Sequence, residues 1–288
     1  MSARVEDVRY SRYEGELRGR TERLGSLVWF GARTALGARR SWRAKIIPFA
    51  LIAIAAFPAI VVLGLKALLS SRIQETIPEI LPYDDYYGEI GIVVMLFAGL
   101  VGPELLCPDR RDNVLSLYFS TALERHEYVI GRIAGTVAPM LLVTLFPQVV
   151  LFFGNTVFAE EPVDYLRDEI RTLGAILLAG VVLALYFSLL SLAVASLSER
   201  RAFAMGGYIG LIVLTGAVGG SLAFGMEVGN GWSLLQLLIV PISAVRTMFD
   251  TDPFSDPAVA PVYYWLVTAA VCLGSLAVLW WRYRGDEG

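Results

Sequence analysis

Lysine is almost missing from this 288-residue chain, which carries 24 basic residues of which only Lys45 and Lys66 are lysines. Histidine occurs once, at position 126, and cysteine twice, at 107 and 272. A single imidazole has no second histidine with which to share a metal, and neither H-E-x-x-H nor G-x-S-x-G occurs. The phosphate loop G-x-x-x-x-G-K-[ST] is absent as well, so no ATP hydrolysis is expected from this chain alone. Two cysteines at the end of one apolar run and inside another support neither a disulfide nor a metal site, and they read as small packing residues. Charge is scarce too, at 18% of residues against a hydrophobic share of 56%, which is too apolar for an ordinary soluble enzyme.

What is present is apolar and blocky. About 20 apolar residues are needed to cross roughly 30 Å of hydrocarbon. Runs at 46–69, 133–158, 173–197, 203–224 and 262–281 meet that requirement, and a shorter one at 90–106 lies within the workable range. The expected fold is all-α, with six transmembrane helices (46–288) preceded by a basic arm (1–45). The arm is polar and the first apolar run is too long for a cleavable signal, so the first span is expected to serve as its own insertion signal. Within the arm, Leu24, Leu27, Val28 and Leu36 suit a helix lying along the inner leaflet, with Trp29, Phe30 and Trp42 at headgroup depth.

Placing both termini inside puts nineteen of the 24 basic residues on the cytoplasmic flanks, as the positive-inside rule requires. The apolar piece 231–249 is interrupted by Pro241, and if it crossed it would carry Arg282 and Arg284 outside; an outer-face interfacial or re-entrant helix is expected instead. Nothing in the charge pattern points to nucleic acid.

The segment between the second and third spans concentrates Asp109, Arg110, Arg111, Asp112, Glu124, Arg125, His126 and Glu127. Pro108 is expected to stop the second span, and Asp109 or Asp112 to cap a short helix bearing Val114, Leu117 and Tyr118 on one side. Thr121 to Glu124 reads as a capping box that restarts a helix into the third span. Thr144, Gln148 and Asn155 bring polar groups into the membrane beside Pro147; they could line a substrate path or bond between helices. Gly206, Gly210, Gly216 and Gly220 form two G-x-x-x-G patterns that permit close helix packing.

Arg9–Arg20, Arg39–Phe49, the turn Asp109–Arg111, the "LYFS" stretch Leu117–Ser120, the sequence Tyr128–Arg132 and the turn Ser196–Ala204 together resemble permease subunits of bacterial type-2 ATP-binding-cassette exporters. The likeness runs over nearly the whole chain, with one departure: many relatives carry a proline soon after "YFS", where this chain has Thr121, Ala122 and Leu123. The resemblance implies a multi-pass protein of the bacterial plasma membrane, paired with a second permease subunit around a central path. It also implies that ATP and Mg²⁺ are bound by a separate ATPase subunit, with no cofactor in this chain. The inner segment would then be the coupling helix, with Val114, Leu117, Tyr118 and Phe119 as anchors, Arg110, Arg111 and Arg125 setting orientation, and Asp109 among the coupling residues. An ATP-independent secondary carrier or a membrane scaffold of an envelope complex is the alternative.

Overall fold

A computed structural model describes residues 19–38, 42–68, 81–112, 124–159, 161–225, 230–253 and 259–284. Among them all regular structure is helical: α1 (Arg20–Ala35), α2 (Trp42–Leu68), α3 (Tyr83–Arg111), α4 (Arg125–Thr144), α5 (Phe146–Phe158), α6 (Pro162–Asp168), α7 (Ile170–Ala195), α8 (Arg201–Gly220), α9 (Ile239–Arg246) and α10 (Pro261–Arg284), with short π and 3₁₀ turns near α8 and α9. Six helical stretches are long and apolar enough to cross a membrane, counting α4 and α5 as one. They match the six expected runs.

Burial divides them. Of the most apolar stretch of each span, 78% is buried for α3 and 61% for α7, against 22% for α2, α8 and α10. The core is therefore built around α3 and α7, where Tyr86, Tyr87, Phe97, Tyr186 and Phe187 are fully buried. Buried phenols need acceptors, and they find them across helices: Tyr86 donates to the Ala55 carbonyl at 2.7 Å, Tyr87 to that of Ile176 at 3.1 Å and Tyr186 to that of Leu237 at 2.9 Å. The outer helices instead turn Phe57, Ile60, Leu214, Leu266 and Leu273 outward. Apolar faces of that extent are at home in lipid, and in water they would drive aggregation.

The second and third spans differ from expectation at their boundaries. α3 starts at Tyr83 instead of 90 and runs through Pro108 to Arg111. Proline in the last turn forfeits one backbone bond, and side-chain ties from that turn, described below, hold the helix on course. The third span begins at Arg125, with Glu124 as its N-cap; the capping box is Glu124 with Glu127, and Thr121 lies outside the described residues. The same span breaks at Leu145, so that Pro147 opens α5, where its missing N–H costs nothing.

The piece 231–249 is a 3₁₀ turn, the eight-residue α9, and a second 3₁₀ turn. Eight residues rise about 12 Å, well short of the hydrocarbon thickness. Pro241 does not break α9; it sits in the first turn, where proline is tolerated. Val240 to Val245 are buried, with α9 wedged among α3, α7 and α10 rather than lying on the surface.

Candidate functional site at the basic end of the bundle

Arg20, Glu104 to Asp112, Glu124 to Arg132, Ser196 to Arg201 and Arg284 meet at one end of the bundle. Asp109 anchors it. From the last turn of α3 its buried carboxylate accepts the Tyr128 hydroxyl at 2.6 Å and pairs with Arg132, both on α4. The Arg132 guanidinium also lies 5.2 Å from the Tyr128 ring centre, and Tyr128 packs on Tyr283 of α10 at 5.6 Å between centroids. An ion pair this buried holds only if hydrogen bonds satisfy the remaining groups, and the phenol supplies one.

Neighbouring residues tie the other helices in. Arg110 donates to the Ser196 carbonyl at the end of α7 and lies 4.0 Å from Glu199, while Arg201 of α8 pairs with Glu104 at 2.7 Å. Arg20 of α1 pairs with Glu127, and Glu127 also accepts the Glu124 backbone N–H at 3.0 Å. The His126 ring sits between Glu124 (Nδ1, 3.1 Å) and Arg20 (Nε2, 3.1 Å). An arginine can only donate, so Nε2 accepts and Nδ1 carries the proton. Arg111 and Asp112 are exposed, and the hydrogen bond from Arg111 at 2.9 Å holds the Asp112 carboxyl below the usual carboxylate range.

Four of the eight residues assigned to coupling are thereby placed. Asp109 is buried and Arg110 nearly so, whereas Arg111 is exposed and Arg125 half-buried at the start of α4. Val114, Leu117, Tyr118 and Phe119 lie outside the described residues.

Thr144, Gln148 and Asn155 are all buried and all bonded across helices of this chain. Thr144 donates to the Gly180 carbonyl at 3.0 Å, Gln148 to the Tyr83 carbonyl at 2.8 Å and Asn155 to the Tyr83 hydroxyl at 2.6 Å. Lys66 donates to Asn155 at 2.9 Å, which extends the ladder to α2. Nearby, at the end opposite the Asp109 cluster, Arg246 pairs with Asp84 at 3.2 Å and Asp85 at 2.8 Å.

Among the described residues, nothing lies within 4 Å of a Cβ built at Gly206, Gly210, Gly216 or Gly220. Close glycine-mediated packing between described helices occurs between α1 and α4. Gly31 of α1 faces Gly135 of α4, with a Cβ on Gly31 reaching 3.3 Å from the Gly135 Cα, and Leu27 fills the space over Gly131. Gly131 and Gly135 are themselves a G-x-x-x-G pair, a signal that the reading of the sequence passed over.

Among the described residues, no three His, Cys, Asp or Glu side chains gather as a metal site. Fold, helix length and hydropathy define a multi-span helical membrane protein. Comparison with known protein families and with curated proteins finds no match.

Proposed function

We propose that this chain is the permease subunit of an ATP-driven exporter of the bacterial plasma membrane, working as a pair of permease subunits on separate ATPase subunits that bind ATP and Mg²⁺. In this reading the chain itself performs no catalysis. The observation that carries it is the tie of Asp109 to Tyr128 and Arg132, which joins the end of α3 to the start of α4 at both edges of segment 113–123. A partner pushing on that segment would move two spans together. The motif likeness stated above supports the same assignment, and the open glycine face of α8 suits a second permease copy.

Anchoring falls to Val114, Leu117, Tyr118 and Phe119, because a few apolar or aromatic contacts carry most interface energy while exposed charges carry little. Alanine at Leu117 and Phe119 together is expected to release the ATPase about tenfold or more, since such anchors are each worth roughly 1–4 kcal/mol. Arg111→Ala is expected to change binding less than threefold. A pull-down with a phosphate-loop ATPase subunit as the candidate partner, read together with coupled ATP hydrolysis, measures both. Full binding and coupling in the double variant would overturn the assignment, and ion-driven flux without ATP would favour a secondary carrier.

Orientation has its own test. In a background with Cys107→Ser and Cys272→Ser, Asp164→Cys should react with an impermeant thiol reagent on intact cells and Asn113→Cys should not. Strong labelling at 113 would reverse the topology.

A further inference from the structure

A groove of about 290 Å³ runs along the flank of the bundle between α7 and α10. Each side presents one face at helical spacing: Leu190 and Val194 of α7 with Leu197 just beyond it, and Val271, Gly274 and Val278 of α10. Leu237 stands at the Leu190 end, where its carbonyl accepts the hydroxyl of Tyr186, one turn before Leu190. Leu197 is exposed at the other end. The groove is thus closed at depth and open toward the basic end of the bundle. Ser275 is the one polar side chain among the described residues that line it. Gly274 keeps it open. Glycine weakens a helix relative to alanine, yet no close neighbour requires one here: nothing among the described residues lies within 4 Å of a Cβ built on it. What the missing side chain leaves is room in the groove.

We infer that this groove seats one acyl chain of a membrane phospholipid from the leaflet at the basic end. Seven residues of helix rise about 10 Å, a good part of the roughly 15 Å of hydrocarbon in one leaflet. Over that length the volume leaves a section of about 30 Å². A helix about 10–12 Å across fills about 80–110 Å², so a single chain fits where a partner helix does not. Lipid is the occupant at hand, because the groove is continuous with the outward faces of α10, where Leu273 and Leu276 are exposed on either side of Gly274 and Ser275. Inside a bilayer the gain is packing, since tails are as apolar as the lining. A chain held between two helices and Leu237 touches protein on more sides than one lying on a convex helix face. The inference is independent of the permease reading, since it needs only a bilayer.

The full chain, reconstituted into phosphatidylcholine vesicles with a trace of photoactivatable phosphatidylcholine, tests it. One acyl chain of the probe carries a diazirine near either its terminal methyl or its carbonyl, and peptide mass spectrometry maps the adducts after irradiation. The methyl-end probe should mark Leu237 and Val271, and the carbonyl-end probe Leu197 and Val278. Each should exceed the exposed Leu273 by about threefold or more, because a seated chain stays in contact. Gly274→Leu should cut the groove adducts about fivefold by filling the section that one chain needs, with Leu273 adducts and the unfolding midpoint unchanged. Gly64→Leu on α2, where a Cβ is equally open, should alter none of these. If Gly274→Leu does not fold, Val278→Phe at the open end carries the comparison. Adducts spread evenly over groove residues and Leu273, or groove adducts undiminished by the filling variant, would reduce the contact to ordinary surrounding lipid and overturn the site. Ser275→Cys, in the background with Cys107→Ser and Cys272→Ser, tests the competing occupant. It should stay monomeric on oxidation, whereas a disulfide-linked dimer would give the groove to a second copy of this chain and overturn the lipid assignment.

Discussion

Asp109→Ala should be among the most destabilising single substitutions in this protein. It strands the buried Arg132 charge and removes the acceptor of the Tyr128 hydroxyl in one step. Breaking a buried pair from one side costs about 3–5 kcal/mol, which corresponds to a fall in unfolding midpoint of roughly 10 °C for a chain of this size. Both cysteines are wholly or partly buried, so a thiol-reactive dye followed on heating reads the transition. Replacing both partners, Asp109→Leu with Arg132→Met, should recover more than half of the loss, because an apolar pair of similar volume carries no stranded charge. Recovery will be incomplete, since the Tyr128 hydroxyl still lacks its acceptor. If Asp109→Ala melts with the parent protein, α3 and α4 are not held by this pair.

Gly102→Val should be nearly as damaging for a steric reason. A Cβ at Gly102 would stand 3.0 Å from the Cβ of Ser191 and 3.1 Å from its carbonyl carbon, and would press on the hydroxyl that donates to the Ala98 carbonyl at 2.6 Å. Backbone atoms of α7 cannot swing aside as a flexible side chain would. Overpacking of this kind costs about 1–3 kcal/mol or more, and α3 against α7 is the centre of the bundle, so the whole fold is expected to feel it. The same dye assay applies. Gly102→Ala should be milder, and Gly102→Ala combined with Ser191→Gly should be milder still, because the second change reopens the space. By contrast, Gly206→Ala should be silent for monomer stability, as open space surrounds it.

The spans were legible because hydrocarbon imposes a length and a composition that any reader can count. Their ends were not, because polar residues can continue a helix wherever a distant partner satisfies them. Asp84 extends α3 toward its start by pairing with Arg246, 162 positions away, and Asp109 continues its end by pairing with Arg132 of another helix. Neither partner is visible in local periodicity. Pro108 misled for the same reason: the rule that proline ends a helix describes local cost and omits what tertiary ties supply. Of the polar ladder, residue types were readable, but their partners were not, since Gln148 and Asn155 both converge on Tyr83. The G-x-x-x-G motif of α8 was readable, but the spacing reports only that a smooth face exists. Whether another helix lies on that face depends on the packing of the whole chain, as Gly31 against Gly135 demonstrates.

The contact between α1 and α4 also has a mechanical side. Leu27, Gly31 and Ala35 lie buried on one face of α1, the backbones touch at Gly31 and Gly135, and Arg20 pins the far end to Glu127, while Trp29 and Phe30 point away from the bundle. With the backbones close at Gly31 and Gly135 and Leu27 seated over Gly131, α1 is joined to α4 as an outrigger is to a hull. Any tilt of α4 must drag those two aromatic rings through their surroundings, so whatever resists their passage becomes a load on the third span.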